Sequence, residues 1–179
     1  SLTYAVVLEG SHADRIKAVV ELYPLVDGGP IPDEWSYDLY EVVDDQRAEA
    51  LSRVDRIRLA NDDLPPMYVN GDMDKMLDPL ISALFAEDVS VYPRTVIISS
   101  EFDFLRYQDE LFAKKLQDAG VDVTAIRYCG CDHGFFETYG VMRRALGGRR
   151  GATAILGRWA RRAHGGGGLF ALRLSSGLL

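Results

Sequence analysis

The stretch YCGCDHGFF, Tyr128 to Phe136, brings two thiols, a carboxylate and an imidazole close together. Two kinds of chemistry fit these residue types. Cys129, Cys131 and His133 alternate along the chain, so on an extended segment they could share one side and bind a metal. Alternatively, His133 could be a general base that depends on a carboxylate elsewhere in the chain.

The metal interpretation has weak support in the sequence. Zinc sites usually have four ligands, with Cys residues spaced by two to four positions, whereas Cys129 and Cys131 are separated by one residue and are the two cysteines of the chain. We therefore expect no metal and no cofactor. We interpret the cysteines as small packing residues around a tight loop at Gly130, with a zinc-binding module as the less favoured alternative.

Asp103 is the carboxylate that could serve His133. It follows the β-branched run TVIISS (Thr95–Ser100), and His133 follows VDVTAIRY (Val121–Tyr128). Functional groups in open parallel sheets collect at the carboxyl ends of strands, and the spacing suits the helix and strand of one βαβ crossover. An Asp–His pair is thus possible. The pattern leaves equally open that Asp103 caps a helix and that His133 is structural.

Alternating strands and helices would position these residues. The predicted elements are helix Leu2–Leu8, strand Lys17–Tyr23, strand Thr95–Ser100, helix Leu105–Ala119, strand Val121–Tyr128 and helix Thr153–Ala163. Buried β-branched strands alternating with helices indicate a parallel α/β sheet. Between the first two strands, Tyr37–Asp63 has the spacing of one or two amphipathic helices, which Pro65-Pro66 should end.

The predicted helix Leu105–Ala119 has an apolar face and an end signal. The residues expected to share that face are Leu111, Phe112, Leu116 and Ala119. Gly120 follows at the position of the glycine that commonly ends a helix.

The charge distribution excludes some partners. The formal net charge is −7, but eight Arg and no acidic residue follow Glu137, so the preceding part is strongly acidic. An acidic body repels phosphate backbones, so we expect no nucleic-acid partner. We also expect no membrane association, because no apolar run reaches the ~20 residues of a spanning helix. No export leader is visible, which favours a cytoplasmic location.

The segment SSEFDFLRYQDELFAKKLQDAGVDVTAIRYCGCDHGFF resembles the acid-to-histidine segment of the hormone-sensitive-lipase-like esterases, which have the α/β-hydrolase fold. In that family a strand runs into E-x-D-x-L-R, a helix ends in A-G-V, and H-G-F follows the next strand. The matching residues are Glu101, Asp103, Leu105 and Arg106, then Ala119–Val121, then His133–Phe135. KAVVELYPLVD and DPLISALFAED upstream are also similar to family segments. The resemblance covers roughly residues 1–140.

This resemblance implies the C-terminal part of an α/β-hydrolase, with parallel strands, flanking helices and part of a helical cap. We assign residues 1–164 to a partial hydrolase domain with a cap-like insertion at about 33–90, and we expect the Gly-rich tail 165–179 to be disordered. Asp103 and His133 would be the acid and base of a Ser-His-Asp triad acting on a small ester. Phe104, Leu105 and Phe135 would line the substrate pocket or belong to the core.

The sequence departs from the family in two places and lacks two of its motifs. Phe104 stands where the family usually has Pro, and Tyr107 where it has Asp. No Ser has Gly at both −2 and +2, as a nucleophile elbow requires, and no H-G-G-G motif occurs. Because SLTYAVVL resembles the helix after that elbow, we expect the nucleophile to precede Ser1, and this chain alone to be inactive. Strand Lys17–Tyr23 would then present an unpaired, aggregation-prone edge.

These observations predict a carboxylic-ester hydrolase that uses an acyl-enzyme mechanism. The alternative within the same fold is a non-catalytic member that binds a small molecule, similar to the plant gibberellin receptors. Those receptors lose the triad histidine, whereas His133 is present here. The residue at the elbow would separate the two, since Ser indicates an enzyme and any other residue a binding protein.

Overall fold

The computed structural model of the chain describes residues 2–10, 15–137 and 169–173. In chain order its elements are α1 (Leu2–Glu9), β1 (Ile16–Leu22), α2 (Arg47–Tyr68), β2 (Arg94–Phe102), α3 (Arg106–Asp118), β3 (Val123–Asp132) and β4 (Leu169–Arg173). Short 3₁₀ turns occupy Tyr37–Leu39, Asp44–Gln46, Met73–Leu77 and Ala83–Phe85. The helix predicted at Thr153–Ala163 lies outside the described residues.

The strands form one parallel sheet in the order β3-β2-β1-β4. Aliphatic and β-branched residues dominate β1 and β2, and nearly all of their side chains are buried. Such sequences are typical of parallel strands, because helices cover both faces of the sheet. The predicted parallel α/β arrangement is confirmed.

Alternate strand residues pack into two apolar clusters, one on each face of the sheet. Val19 of β1 and Ile97 of β2 belong to the first cluster, whereas Val20 and Ile98 belong to the second. This division follows the two-residue period of a strand. The first cluster also contains helix residues: Tyr4 and Val7 from α1, and Phe112, Ala113 and Leu116 from α3. Helices α1 and α3 therefore cover the same face.

The C-terminus of α3 is a Schellman motif. Gly120 has φ +84°, and its N–H donates to the Gln117 carbonyl at 3.0 Å, while the Val121 N–H donates to the Leu116 carbonyl at 3.0 Å. Both bonds satisfy carbonyls that a helix end would leave unpaired, and glycine adopts the left-handed conformation without a Cβ penalty. The predicted role of Gly120 is confirmed.

The buried face of α3 differs from the predicted one. Phe112 and Leu116, four residues apart, are fully buried, whereas Leu111 is 38 % exposed and Ala119 is also exposed. A helix rotates by about 100° per residue, so Leu111 turns away from the sheet when Phe112 faces it. The expectation that Leu111 and Ala119 share the buried face was wrong.

Helix α2 continues beyond the position where the prolines should have ended it. It begins at Arg47, contains Pro65 and Pro66 in its last turns, and ends at Tyr68. Proline cannot donate an N–H but its carbonyl still accepts, and the Val69 N–H bonds to the Pro65 carbonyl at 3.2 Å. In the described part of the chain, neither α2 nor any other helix is long and apolar enough to cross a membrane.

Strand β1 has a neighbour on each side, contrary to the expectation of an unpaired edge. It pairs with β2 on one side and with β4 on the other, with Val19 opposite Ala171. Part of the tail predicted to be disordered is therefore a strand. Its sequence, LFALR, is apolar enough for a parallel strand, but the glycine run before it suggested disorder. The other residues of 165–179 lie outside the described part.

Candidate active site

Asp103 lies in the short connection between β2 and α3. Its side chain is fully buried, and Oδ1 accepts the Leu105 N–H at 2.9 Å. Its backbone carbonyl accepts the Tyr40 hydroxyl at 2.9 Å and the Arg106 N–H at 3.2 Å. Burial raises the pKa of Tyr40 to about 12, which keeps that hydroxyl a donor. One carboxylate oxygen thus supports the start of the helix and the other is available for a second partner.

His133 directly follows β3, and its ring meets that second oxygen. Nδ1 lies 2.9 Å from Oδ2 of Asp103, and the His133 side chain is 15 % exposed. Gly134, with φ +78°, makes the tight turn after it. The structure therefore brings the two predicted residues together at the carboxyl ends of neighbouring strands. Asp103 is not the N-cap of α3, because that position is occupied by Leu105. Its Oδ1 instead supports the turn that leads into the helix, while Oδ2 contacts His133.

The contact with Asp103 determines which nitrogen of the His133 imidazole carries the proton. A buried carboxylate is an acceptor, so Nδ1 of His133 carries the proton that it donates to Asp103. In a neutral imidazole this leaves Nε2 unprotonated and able to accept a proton. The nearby carboxylate then stabilises the imidazolium that forms. The pair has the arrangement of a general base and its orienting acid.

A β-bulge at the end of β3 delivers His133 to this position. Ser100 of β2 pairs with Tyr128, but Phe102 pairs with Asp132, so β3 contains two extra residues. Gly130 lies within the bulge with φ +69°. Bulges redirect side chains and are common next to active sites. The predicted strand ended at Tyr128, and the sequence pattern did not reveal that pairing resumes after the bulge.

The bulge also separates the two thiols. Cys131 is buried, whereas Cys129 is exposed, and Cys131 belongs to the apolar cluster that contains Phe135. Among the described residues, no group of three His, Cys, Asp or Glu side chains could hold a metal ion. The geometry thus gives the zinc alternative no support at Cys129, Cys131 and His133.

The other charged residues of the E-x-D-x-L-R segment contact the backbone of neighbouring segments around Asp103. The Glu101 carboxylate accepts the N–H of Gly130 in the bulge. Arg106 donates to the Leu39 carbonyl at 2.5 Å, and its guanidinium lies 4.6 Å from the centre of the Tyr40 ring. Glu101 therefore supports the bulge that precedes His133. Arg106 connects the start of α3 to the segment between β1 and β2.

Tyr23, which sequence reasoning did not select, lies against the imidazole. Its ring centroid is 4.7 Å from that of His133, and its hydroxyl donates to Oε2 of Glu137 at 2.8 Å. Burial, followed by this hydrogen bond, raises the pKa of Tyr23 above its ordinary value. Tyr23 also has φ +36°, which is uncommon for a non-glycine residue and concentrates at functional sites. In the sequence, only its position at the end of a buried strand could have suggested it.

The three residues predicted to bind substrate are all buried. Leu105 is 5 % exposed and Phe135 is 2 % exposed, each within an apolar cluster. Phe104 packs edge-to-face on Trp35 at 5.1 Å and also lines a small cavity. The further lining residues are Asp27, Gly29, Pro30, Ile31, Pro32, Trp35, Asn61, Tyr107, Gln108 and Leu111. The contacts of Leu105 and Phe135 resemble those of ordinary core residues.

A second carboxylate, Asp109, is buried in α3. Neither of its carboxylate oxygens has a hydrogen-bond partner among the described residues. Burial, and next the charge of Asp103, raise its pKa well above the ordinary value. Glu21, also buried, and Glu110 add to this effect. A neutral Asp109 avoids placing a second negative charge near the acid of the pair.

Comparison with known proteins identifies a family model and related sequences. A sequence model described as alpha/beta hydrolase fold matches residues 1–137. The chain is 38 % identical over 69 residues to an arylesterase of Saccharolobus solfataricus, an alignment that covers 38 % of this chain and 22 % of the relative. It is 46 % identical over 55 residues to human arylacetamide deacetylase-like 3, covering 30 % of this chain and 14 % of the relative.

Solved structures show the same fold. An esterase of Pyrobaculum calidifontis superposes with a TM-score of 0.61 at 24 % identity, over 89 % of this chain and 48 % of that one. A hormone-sensitive lipase from a metagenome library superposes with a TM-score of 0.63 at 18 % identity, over 88 % and 50 %. The chain thus spans about half the length of these structures. Because the family model matches most of the sequence, this chain belongs to the α/β-hydrolase fold family.

Proposed function

We propose that Asp103 and His133 are the acid and the base of a Ser-His-Asp triad that hydrolyses small carboxylic esters in the whole protein. The observation that carries this proposal is the 2.9 Å contact between Nδ1 of His133 and the buried Oδ2 of Asp103. The family membership of the chain supports it, and so do the two curated relatives, whose names describe an arylesterase and a deacetylase-like protein.

The proposed reaction has two halves. A serine Oγ attacks the ester carbonyl carbon, and its proton moves to Nε2 of His133. The tetrahedral intermediate then breaks the carbon–oxygen bond, and the leaving alcohol takes the proton from Nε2. In the second half, water attacks the acyl-enzyme while His133 again acts as base, so that the carboxylic acid leaves and the serine is restored.

Asp103 contributes through orientation and charge. Its Oδ1 accepts the Leu105 N–H, so the carboxylate cannot rotate freely away from the imidazole, which contacts Oδ2. Because the carboxylate is fully buried, its interaction with the imidazolium is weakly screened by solvent. General acid–base catalysis of this type contributes about 10²- to 10⁴-fold to a rate.

The 179 residues contain no G-x-S-x-G. In this proposal, the nucleophile and the oxyanion-hole donors come from sequence upstream of Ser1. Without them most of the rate enhancement is absent, so we expect no ester turnover by residues 1–179 alone. The retained pair favours the hydrolase over a non-catalytic binding protein, which has no use for a base oriented by a buried acid.

A chimera tests the proposal. Residues 1–137 of this chain are joined to the upstream part of the Saccharolobus solfataricus arylesterase, chosen to supply the nucleophile, and p-nitrophenyl acetate hydrolysis is measured. We expect turnover that His133→Ala abolishes, whereas Cys129→Ala, a change at an exposed residue four positions away, leaves it intact. A folded chimera whose turnover survives His133→Ala would refute the proposal.

A further inference from the structure

Helix α2 contacts the segment that presents the candidate base. Nη2 of Arg53 donates to the Gly130 carbonyl at 3.2 Å and also contacts the Asp132 carboxylate. Arg56, three residues later, donates to the His133 carbonyl at 3.4 Å. Both arginines lie between β1 and β2, far from β3 in the sequence, so these contacts attach the connection between those strands directly to the bulge.

The guanidinium of Arg53 also touches the acid side of the site. It lies 4.6 Å from the centre of the Phe102 ring, in the geometry of a cation–π contact. Phe102 immediately precedes Asp103, and Asp132 immediately precedes His133. One side chain therefore contacts the neighbours of both members of the pair.

Burial distinguishes the two arginines. The side chains of Arg53 and Asp132 are 28 % and 25 % exposed, whereas that of Arg56 is 61 % exposed and lies 3.8 Å from Asp132. Exposed ion pairs contribute little because solvent screens them and the side chains lose entropy. A half-buried guanidinium that also donates to a backbone carbonyl fixes the position of that backbone segment more firmly.

We propose that Arg53 and Asp132 are positioning residues for His133. They hold the β3 bulge against α2, so that the imidazole stays within hydrogen-bond distance of Asp103. This inference rests on the proposed function for its catalytic meaning, but the geometric effect is measurable without ester turnover. In this proposal α2 also helps to position His133, because a displacement of α2 would move the bulge.

The test follows the Nδ1–H proton of His133 by NMR in residues 1–179, labelled with ¹⁵N-histidine. The chain has three histidines, so His133→Gln assigns the resonance and Asp103→Asn identifies the hydrogen bond. We expect the solvent exchange of this proton to accelerate by more than tenfold in Arg53→Met. The matched control, Arg47→Met, removes an exposed ion pair from the first turn of the same helix and should leave the exchange rate unchanged.

Two further variants separate positioning from folding. Asp132→Asn keeps the shape of the side chain and should reproduce the effect of Arg53→Met, which protects the test if the latter fails to fold. Arg53→Lys should recover part of the protection, because an ammonium can pair with Asp132 but cannot hold the Gly130 carbonyl in the same geometry. Backbone amides of β2 should keep their exchange rates in all folded variants.

The outcomes are distinguishable. Protection that persists in folded Arg53→Met and Asp132→Asn would overturn the positioning role and leave the proposed Asp–His pair intact. Equal acceleration of the β2 amides would also overturn it, because the effect would then be one of global stability. A resonance that Asp103→Asn leaves unchanged would refute both the pair and its positioning.

Discussion

The carboxylate of Asp103 divides its two oxygens between the Leu105 N–H and the His133 imidazole. The sequence left a helix-capping role and a catalytic role as alternatives. In the structure, Leu105 is the N-cap of α3, and Asp103 supports the turn before the helix while it contacts His133. The nearby carboxyl of Asp109 has no hydrogen-bond partner among the described residues. At the scale of single residues, the site therefore contains one well-bonded acid and one buried acid that is more stable when neutral.

The ionisation of Asp109 gives the first prediction. Its folded pKa is raised, chiefly by burial, above the unfolded value of about 3.9. The stability that the neutral form contributes is therefore complete below that value and is lost as pH rises through the folded pKa. Asp109→Asn cannot ionise, so at pH 7 its free energy of unfolding should exceed that of the original chain.

Urea denaturation at several pH values checks this expectation. The matched control is Asp118→Asn in the same helix, which removes an exposed pair with Lys114 and should cost no more than about 0.5 kcal/mol. Equal unfolding free energies for Asp109→Asn and the original chain at pH 7, with the same pH dependence, would show that ionisation of Asp109 does not destabilise the fold.

Among the helices and strands, local sequence patterns predicted those elements whose tertiary packing agrees with the pattern. Periodicity and the position of Gly120 predicted α3 and its end, and β-branched runs predicted β1 and β2. The bulge of β3 could not be predicted, because it depends on pairing with β2 and on the Glu101 contact to Gly130. The contacts of Tyr23 and Arg53 could not be predicted either. Each joins residues that are distant in the chain, and local sequence patterns do not indicate such contacts.

The Schellman motif of α3 gives the second prediction. At φ +84° an added Cβ at Gly120 meets no atom within 4 Å, so the cost of Gly120→Ala arises from the backbone conformation alone. We expect a loss of about 1–2 kcal/mol in the free energy of unfolding. Gly120→Asn should lose less, because Asn tolerates this conformation. Thermal denaturation measures both, and an Ala variant as stable as the original chain would contradict the motif's role.

At the scale of the whole molecule, β4 is the least expected feature. The resemblance to esterases suggested that β1 would lack a neighbour, yet β4 pairs with it in parallel register. An unpaired edge of a central, apolar strand promotes association between chains, so β4 protects this sheet. Composition did not predict it, because a five-residue strand after four glycines has no periodicity long enough to recognise.

The third prediction concerns this edge. A chain ending at Gly168 lacks β4 and should aggregate faster than the 179-residue chain, because the N–H and C=O groups of β1 are left unpaired on one side. A chain ending at Arg173 keeps β4 and is the control. Size-exclusion chromatography with light scattering compares them. Identical behaviour of the two truncated chains would show that β4 does not protect the edge.

A double-substitution cycle in the ester-hydrolysing chimera tests whether Asp103 and His133 act as one unit. If Asp103 acts only through His133, Asp103→Asn alone should lower kcat about 10⁴-fold, and adding it to His133→Ala should cause no further loss. Losses that multiply in the double variant, or an Asp103→Asn variant with undiminished kcat, would contradict an acid and a base that work as one unit.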